Sequence, residues 1–251
     1  GNLYTQQAYE LCRRLEFKNL LGRFDAEAVP ENTIEQNFFV CSELSGVEAL
    51  FEKAARNSMA GIALIADKNN VYGLGIALEK EEVYYIPAEG LLSGEYLCEK
   101  LRKLGEATVI SAMDIKMLLK YVESLEPERV FDLGIGAYLL NPLKSSYTYE
   151  DIAREYIGGI SIPSREELLG KETYEKAWEK SSENMGICAC YQAFTAYAAR
   201  EKTEAKLKET GMWQVYTDIE LPLVFTLDSM EKCGICVKGE ELKAYGERLS
   251  V

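Results

Sequence analysis

Ile62-Ala-Leu-Ile-Ala66, Tyr72-Gly-Leu-Gly-Ile-Ala-Leu78 and Val83-Tyr-Tyr-Ile86 follow one another with little between them. Apolar runs of this length, rich in branched and aromatic residues, read as strands. The first two are joined across Asn69-Asn70 and the last two across the charged Glu79–Glu82 segment. Connections this short allow antiparallel hairpins and little else. Outward on the N-terminal side, Phe38-Phe-Val-Cys41 reads as a short strand. Ser45 to Met59 reads as a helix with Val47, Leu50, Phe51 and Ala54 inward. On the other side come a helix over Leu92–Leu104, a strand over Ala107–Ser111 and a helix over Asp114–Ser124. Hairpin strands followed by a helix and another strand imply a crossover to a parallel partner. The expected class is α/β, a mixed sheet flanked by helices, in the element order of a ribonuclease H-like fold.

Composition sets outer bounds. A chain of 251 residues, 47% hydrophobic, can bury a full core. No apolar run approaches the roughly twenty residues that cross a bilayer, so no membrane partner is expected. Residues 1–24 carry charges throughout, so no signal peptide is expected either. The chain has no histidine, which removes the usual general base near neutral pH and most zinc and Ser-His or Cys-His arrangements. Its net charge is −13 and its 28 basic residues are dispersed, whereas a DNA-gripping surface gains affinity from clustered Lys and Arg. Weak or no DNA binding by this segment alone is the expectation.

Seven cysteines, at 12, 41, 98, 188, 190, 233 and 236, suit a reducing cytosol. Cys233-Gly-Ile-Cys236 has the spacing of a redox pair. Such pairs open a helix, and this one closes one, at the end with the opposite dipole sign. Cys188 and Cys190, two apart on a helix, point to different sides. Free cysteines are expected throughout.

Residues 5–24 read as a helix capped by Thr5, with Leu11, Leu15, Leu20, Leu21 and Phe24 on its apolar face, and residues 25–36 as a linker. Residues 158–180 are polar, and 181–209 read as one long helix. In Asp218-Ile-Glu-Leu-Pro-Leu-Val-Phe-Thr-Leu-Asp-Ser-Met-Glu-Lys-Cys-Gly-Ile-Cys-Val237, Pro222 can start a helix. Ile219, Leu223, Leu227 and Met230 make one apolar stripe. Gly234 ends the helix, and Ile235 and Val237 continue extended. Residues 218–251 are expected to project as a separate helical element.

This last stretch is similar to the start of the polymerase domain, the thumb base, in bacterial family A DNA polymerases. Phe131-Asp-Leu-Gly-Ile-Gly-Ala-Tyr-Leu-Leu-Asn-Pro142 resembles a helix of the exonuclease domain of that family. Tyr149-Glu-Asp-Ile-Ala-Arg-Glu-Tyr-Ile157 resembles the short helix after it, and Leu15-Glu-Phe-Lys-Asn-Leu-Leu21 resembles the segment after the 5′-nuclease domain. The resemblance implies three parts. Residues 1–36 would be the linker helix after a 5′-nuclease domain, 37–210 a DEDD-type 3′–5′ exonuclease-like domain, and 211–251 the thumb base. It further implies a DNA-directed DNA polymerase, a nucleotidyltransferase of DNA replication and repair in the cytoplasm. Such an enzyme contacts DNA through the full-length protein and needs Mg²⁺. The palm carboxylates and fingers follow beyond residue 251 in this family, so no cofactor is expected in these residues.

Exonuclease chemistry in the family is two-metal catalysis, with two divalent ions about 4 Å apart held by carboxylates. The family supplies Asp-x-Glu on the first strand, an Asp on a later helix, and Tyr-x-x-x-Asp on the last helix. Matched to this chain, those positions fall at Ile65 and Asp67, at Leu118, and at Ile187 and Tyr191. Only Asp67 is an acid. No Asp-x-Glu occurs in 60–70, and no Asp lies between 152 and 217. Asp114 reads as a helix cap. The five positions are expected to be vestigial, without catalytic or metal-binding residues, and Ile65 and Leu118 are expected to be buried. The alternative is an active metal-dependent 3′–5′ exonuclease.

Overall fold

The structure, a computed structural model, describes residues 5, 7, 8, 11, 12, 17 and 33–249, apart from 69 and 159–161. Most of the expected first helix, including Leu15, Leu20, Leu21 and Phe24, and most of the expected linker lie outside the described residues, as does Asn69. Of what is described there, the Ala8 N–H donates to Thr5 Oγ1 at 3.2 Å, as a cap would. Leu11, expected on an apolar face, is 46% exposed.

The core is one six-stranded sheet in the order β1-β4-β3-β2-β5-β6. Its strands are β1 (Phe38–Val40), β2 (Met59–Ala66), β3 (Val71–Glu79), β4 (Glu82–Pro87), β5 (Val109–Ala112) and β6 (Val130–Asp132). β2, β3 and β4 form the two expected antiparallel hairpins, and β5 and β6 join in parallel. β1 adds a parallel edge beside β4. The helices used below are α1 (Leu44–Ala54), α2 (Gly94–Ala107), α3 (Ile115–Leu119), α4 (Leu133–Leu140), α5 (Ser182–Ala198), α6 (Arg200–Glu209), α7 (Leu221–Cys233) and α8 (Gly239–Leu249).

Alternation along β2 splits the core in two, because successive side chains on a strand point to opposite faces. Ile62 and Leu64 join Leu50 of α1, Leu101 of α2 and Leu118 of α3 in one apolar cluster. Ala63 and Ile65 join Met185, Ala189 and Tyr191 of α5 in the other. α5 lies against the sheet at backbone distance, and two glycines make this possible. A Cβ on Gly61 would stand 2.3 Å from the carbonyl oxygen of Ala193, and one on Gly75 would stand 2.4 Å from that of Ala189.

Several boundaries differ from the expected ones. α1 ends at Ala54, and Met59 already belongs to β2. The start of the expected 131–142 helix is instead the sixth strand, Val130–Asp132, because three residues carry too little periodicity to separate strand from helix. The long 181–209 helix is two, divided at Ala199. The polar 158–180 segment contains two short capped helices, Arg165–Leu169 and Tyr174–Lys180.

The largest correction concerns the C-terminal element. A five-residue π-helix, Tyr216–Glu220, runs directly into α7, so Pro222 lies in the first turn of a helix that continues from before it. The inward side of α7 is Leu221, Val224 and Asp228, and the stripe Ile219, Leu223, Leu227 and Met230 is exposed. α7 does not project. It packs on α3, with Lys232 donating to the carbonyl of Leu119 at 2.8 Å and Lys116 paired with Glu231. Every residue from Ser229 to Leu249 is exposed, and α8, which falls within the helical element expected over 218–251, buries nothing.

Candidate active site

Ile65 is on β2, with its side chain in the α5-side cluster. Tyr191 of α5 is buried in the same cluster, and Ile187, one turn earlier, packs partly buried against it. Tyr191 also meets Phe38 edge-on at 4.9 Å between ring centroids and donates its hydroxyl to Glu35 Oε1 at 2.5 Å. Leu118 is buried in the cluster on the other face of the sheet. The fold therefore brings Ile65, Ile187 and Tyr191 into one apolar neighbourhood and puts Leu118 in another. Both Ile65 and Leu118 are buried among core side chains, as expected.

Asp67 follows β2, half-buried, in a tight turn. Its Oδ1 accepts the Asn70 N–H at 3.1 Å, and its Oδ2 accepts the Tyr72 hydroxyl at 2.6 Å. Its carbonyl accepts the Tyr121 hydroxyl. Burial, with Asp67 next in weight, pushes the Tyr72 phenol up to about 12. A pair of divalent ions needs several oxygen ligands converging on one point. The five positions supply one carboxylate, already engaged on both oxygens, and the described residues contain no group of three or more His, Cys, Asp or Glu placed to hold a metal ion. The side chains present do not fit a two-metal centre.

None of the five lines the open groove of about 600 Å³ that the structure contains. Its walls include Met113, Tyr149, Arg165, Tyr174 and Gln192, with Leu223 of α7 along one side. Its acids differ in their surroundings, and Glu150 Oε2 is buried with no hydrogen-bond partner among the described residues. Asp114 caps α3 through the Met117 N–H at 3.0 Å, as the sequence suggested. Glu150 is raised above the usual carboxylate range, mainly by burial.

Asp132 is the residue that sequence reading passed over. In the sequence it stands inside the Phe131–Pro142 motif with no expected role of its own. It is 3% exposed, at the junction of β6 and α4. Its Oδ1 accepts the Ile135 N–H at 2.9 Å, capping α4, and its Oδ2 accepts the Ile115 N–H at 2.7 Å, at the first residue of α3. Its own N–H donates to the Tyr216 hydroxyl at 2.7 Å. One residue thus joins two helix N-termini through its carboxylate and, through its backbone N–H, the tyrosine that opens the π-helix leading into α7. Burial outweighs the pull of these amides and pushes the carboxyl up to about 7. The Asp-then-helix spacing was a readable capping signal, but nothing in sequence shows the second amide.

A central antiparallel triplet, parallel strands β5 and β6, and a helix laid across the sheet define the class: a ribonuclease H-like α/β fold of the 3′–5′ exonuclease type. Among solved structures it is shared by NrnC of Brucella melitensis bound to pGG, at 14% identity and TM-score 0.57 over 78% of this chain and 93% of that one. It is shared also by the polymerase domain of Pol1 from M. smegmatis in complex with DNA primer-template and dNTP, at 17% identity and TM-score 0.59 over 84% of this chain and 35% of that one. The particular protein that the chain is similar to is DNA polymerase I. That of Bacillus subtilis is 29% identical over 122 residues, 47% of this chain and 13% of the relative. That of Pseudomonas aeruginosa is 22% identical over 99% of this chain and 31% of the relative. The chain thus spans about a third or less of the curated relatives it matches. No family model matches it.

Proposed function

We propose that this chain is a segment of a family A DNA polymerase in which an exonuclease-like domain, residues 37–210, has no working 3′–5′ cleavage site. The domain serves instead as a rigid base for the thumb segment that starts at 211. The observation that carries this reading is the burial of Ile65 and Tyr191 in an apolar cluster with Leu118 on the opposite face, which leaves Asp67 as the one acid. The docking of α7 on α3 supports the role of a base. DNA synthesis, with Mg²⁺ and DNA as partner, in replication and repair in the cytoplasm, belongs in this reading to the full-length protein. The segment itself contributes scaffold and no nucleotidyl transfer.

The test is incubation with 3′-labelled single-stranded DNA in Mg²⁺ or Mn²⁺. The expected result is no trimming above the buffer control. Trimming that EDTA abolishes would establish the second reading, an active exonuclease. Fluorescence anisotropy in about 0.15 M salt checks the companion expectation. Submicromolar affinity for single-stranded DNA would overturn it, since a chain of net charge −13 lacks a clustered basic surface.

A further inference from the structure

The segment Thr33–Val40 enters the sheet as a short 3₁₀-helix, Thr33–Asn37, followed directly by β1. Two of its residues touch Tyr191 of α5, and a third is buried in the same cluster. Phe38 meets the Tyr191 ring edge-on, and Ile34 is the buried one. Glu35, itself exposed, accepts the Tyr191 hydroxyl on Oε1 at 2.5 Å. An exposed carboxylate thus reaches the hydroxyl of a wholly buried tyrosine.

Little else holds the segment. β1 is the edge of the sheet, three residues long, and pairs in parallel with β4 alone. Phe39 and Val40 are exposed, and Ile34 is the one buried side chain between 34 and 40. β2 and β3, by contrast, are buried along almost their whole length. Elements with few buried contacts open before the global transition.

We propose that Thr33–Val40 is a strap that opens as a unit of its own, ahead of the domain, and that the Glu35–Tyr191 hydrogen bond is the latch that keeps it closed on α5. A hydroxyl bonded to a carboxylate is among the stronger kinds of hydrogen bond. It is also directional, so it fixes where residue 35 stands, whereas Ile34 and Phe38 supply apolar contact. The place that the strap closes is the one where Ile65, Ile187 and Tyr191 gather. The strap therefore deepens the reading of 37–210 as a domain without a cleavage site, and it rests on that reading for its meaning. Opening it leaves β4 as the edge strand and admits solvent to Tyr191. Since the strap continues directly from residue 32, a shift of the preceding chain would reach α5 through this latch.

Native-state hydrogen exchange tests this on the whole chain. The Cys41 N–H, which donates to the Tyr85 carbonyl at 2.8 Å just after β1, reports the strap, and the amides of β3 report the domain. At urea concentrations below the unfolding transition, Cys41 exchange should be faster than that of β3. It should also be nearly independent of urea, because opening the strap exposes little surface. Glu35→Ala and Tyr191→Phe should each speed Cys41 exchange about tenfold, the size of one net hydrogen bond. Tyr191→Phe keeps the ring and with it the contact to Phe38. The double variant should be no faster than the faster single, since both remove one bond. The proposal is overturned if Cys41 exchanges at the rate and urea slope of β3, or if Glu35→Ala leaves its exchange unchanged. Trimming of DNA by the same chain would strike the reading of the domain and leave the exchange result standing.

Discussion

Two buried places in this molecule treat a carboxyl group in opposite ways. Around Ile65, where the resemblance implies a ring of carboxylates, the side chains are apolar or aromatic and packed together. Around Asp132, one carboxyl group sits in the interior with backbone amides as its hydrogen-bond donors. The difference lies in what each place offers an anion. Asp132 receives two backbone N–H groups at helix N-termini, donors that are unpaired by construction and carry partial positive charge. The Ile65 neighbourhood presents the interior of a helix and a sheet whose amides are already used. A carboxylate there needs metal to be tolerated, since like charges crowded without one resist ionisation. Apolar residues remove that penalty.

The sharpest way to break this comparison is to move the charge. Ile65→Asp should lower stability by several kcal/mol in urea or thermal unfolding, because it buries an ion with no amide or cation to receive it. Leu118→Asp should behave alike on the other face. Mn²⁺ should rescue neither, since metal ligands act together and a single acid makes no site. A melting temperature unchanged by the substitution and raised by Mn²⁺ would mean that the neighbourhood is open and ready for ligand.

Removing the tolerated carboxyl group comes next. Asp132→Ala leaves the Ile115 and Ile135 amides without their acceptor and should cost about 2–3 kcal/mol, measured by the same unfolding curves. The carboxyl also sets a pH signature. Its value in the folded state is about 7 against 3.8 for an unperturbed Asp, so the native state binds the proton more tightly than the unfolded chain. Its contribution is therefore full below about pH 4 and is lost as pH rises toward 7. Stability of the native protein minus that of Asp132→Asn should fall across that window and level off above it. A flat difference would mean that the amides hold Asp132 ionised throughout. The smallest effect is expected at Asp67. Asp67→Asn, half-exposed at a turn, should change stability by under about 1 kcal/mol.

The hairpin triplet, the inward face of α1 and the Asp114 cap were legible in sequence because each rests on a short-range pattern: short connections, spacing or one capping side chain. The Ile65 and Leu118 burials were legible once positions had been matched to a family. Three features were not. The strand at Val130–Asp132 is three residues long and earns its state from pairing with β5, a long-range fact. The second amide on Asp132 comes from a helix seventeen positions away. The outward turn of the Ile219–Met230 stripe follows a π-helical turn that no spacing announces, since i→i+5 bonding shifts the angular phase of everything after it.

The exposure of α8 has a consequence for the clock on which its amides meet solvent. Eleven residues of helix with no buried side chain fall below the length at which helices hold together alone in water. Deuterium should therefore enter 239–249 within the fastest fraction of exchange. The amides of α5, pressed on β2 and β3 at Gly61 and Gly75, should open with the global unfolding of the domain. The protection profile along the chain would then be a plateau with a cliff at Gly234.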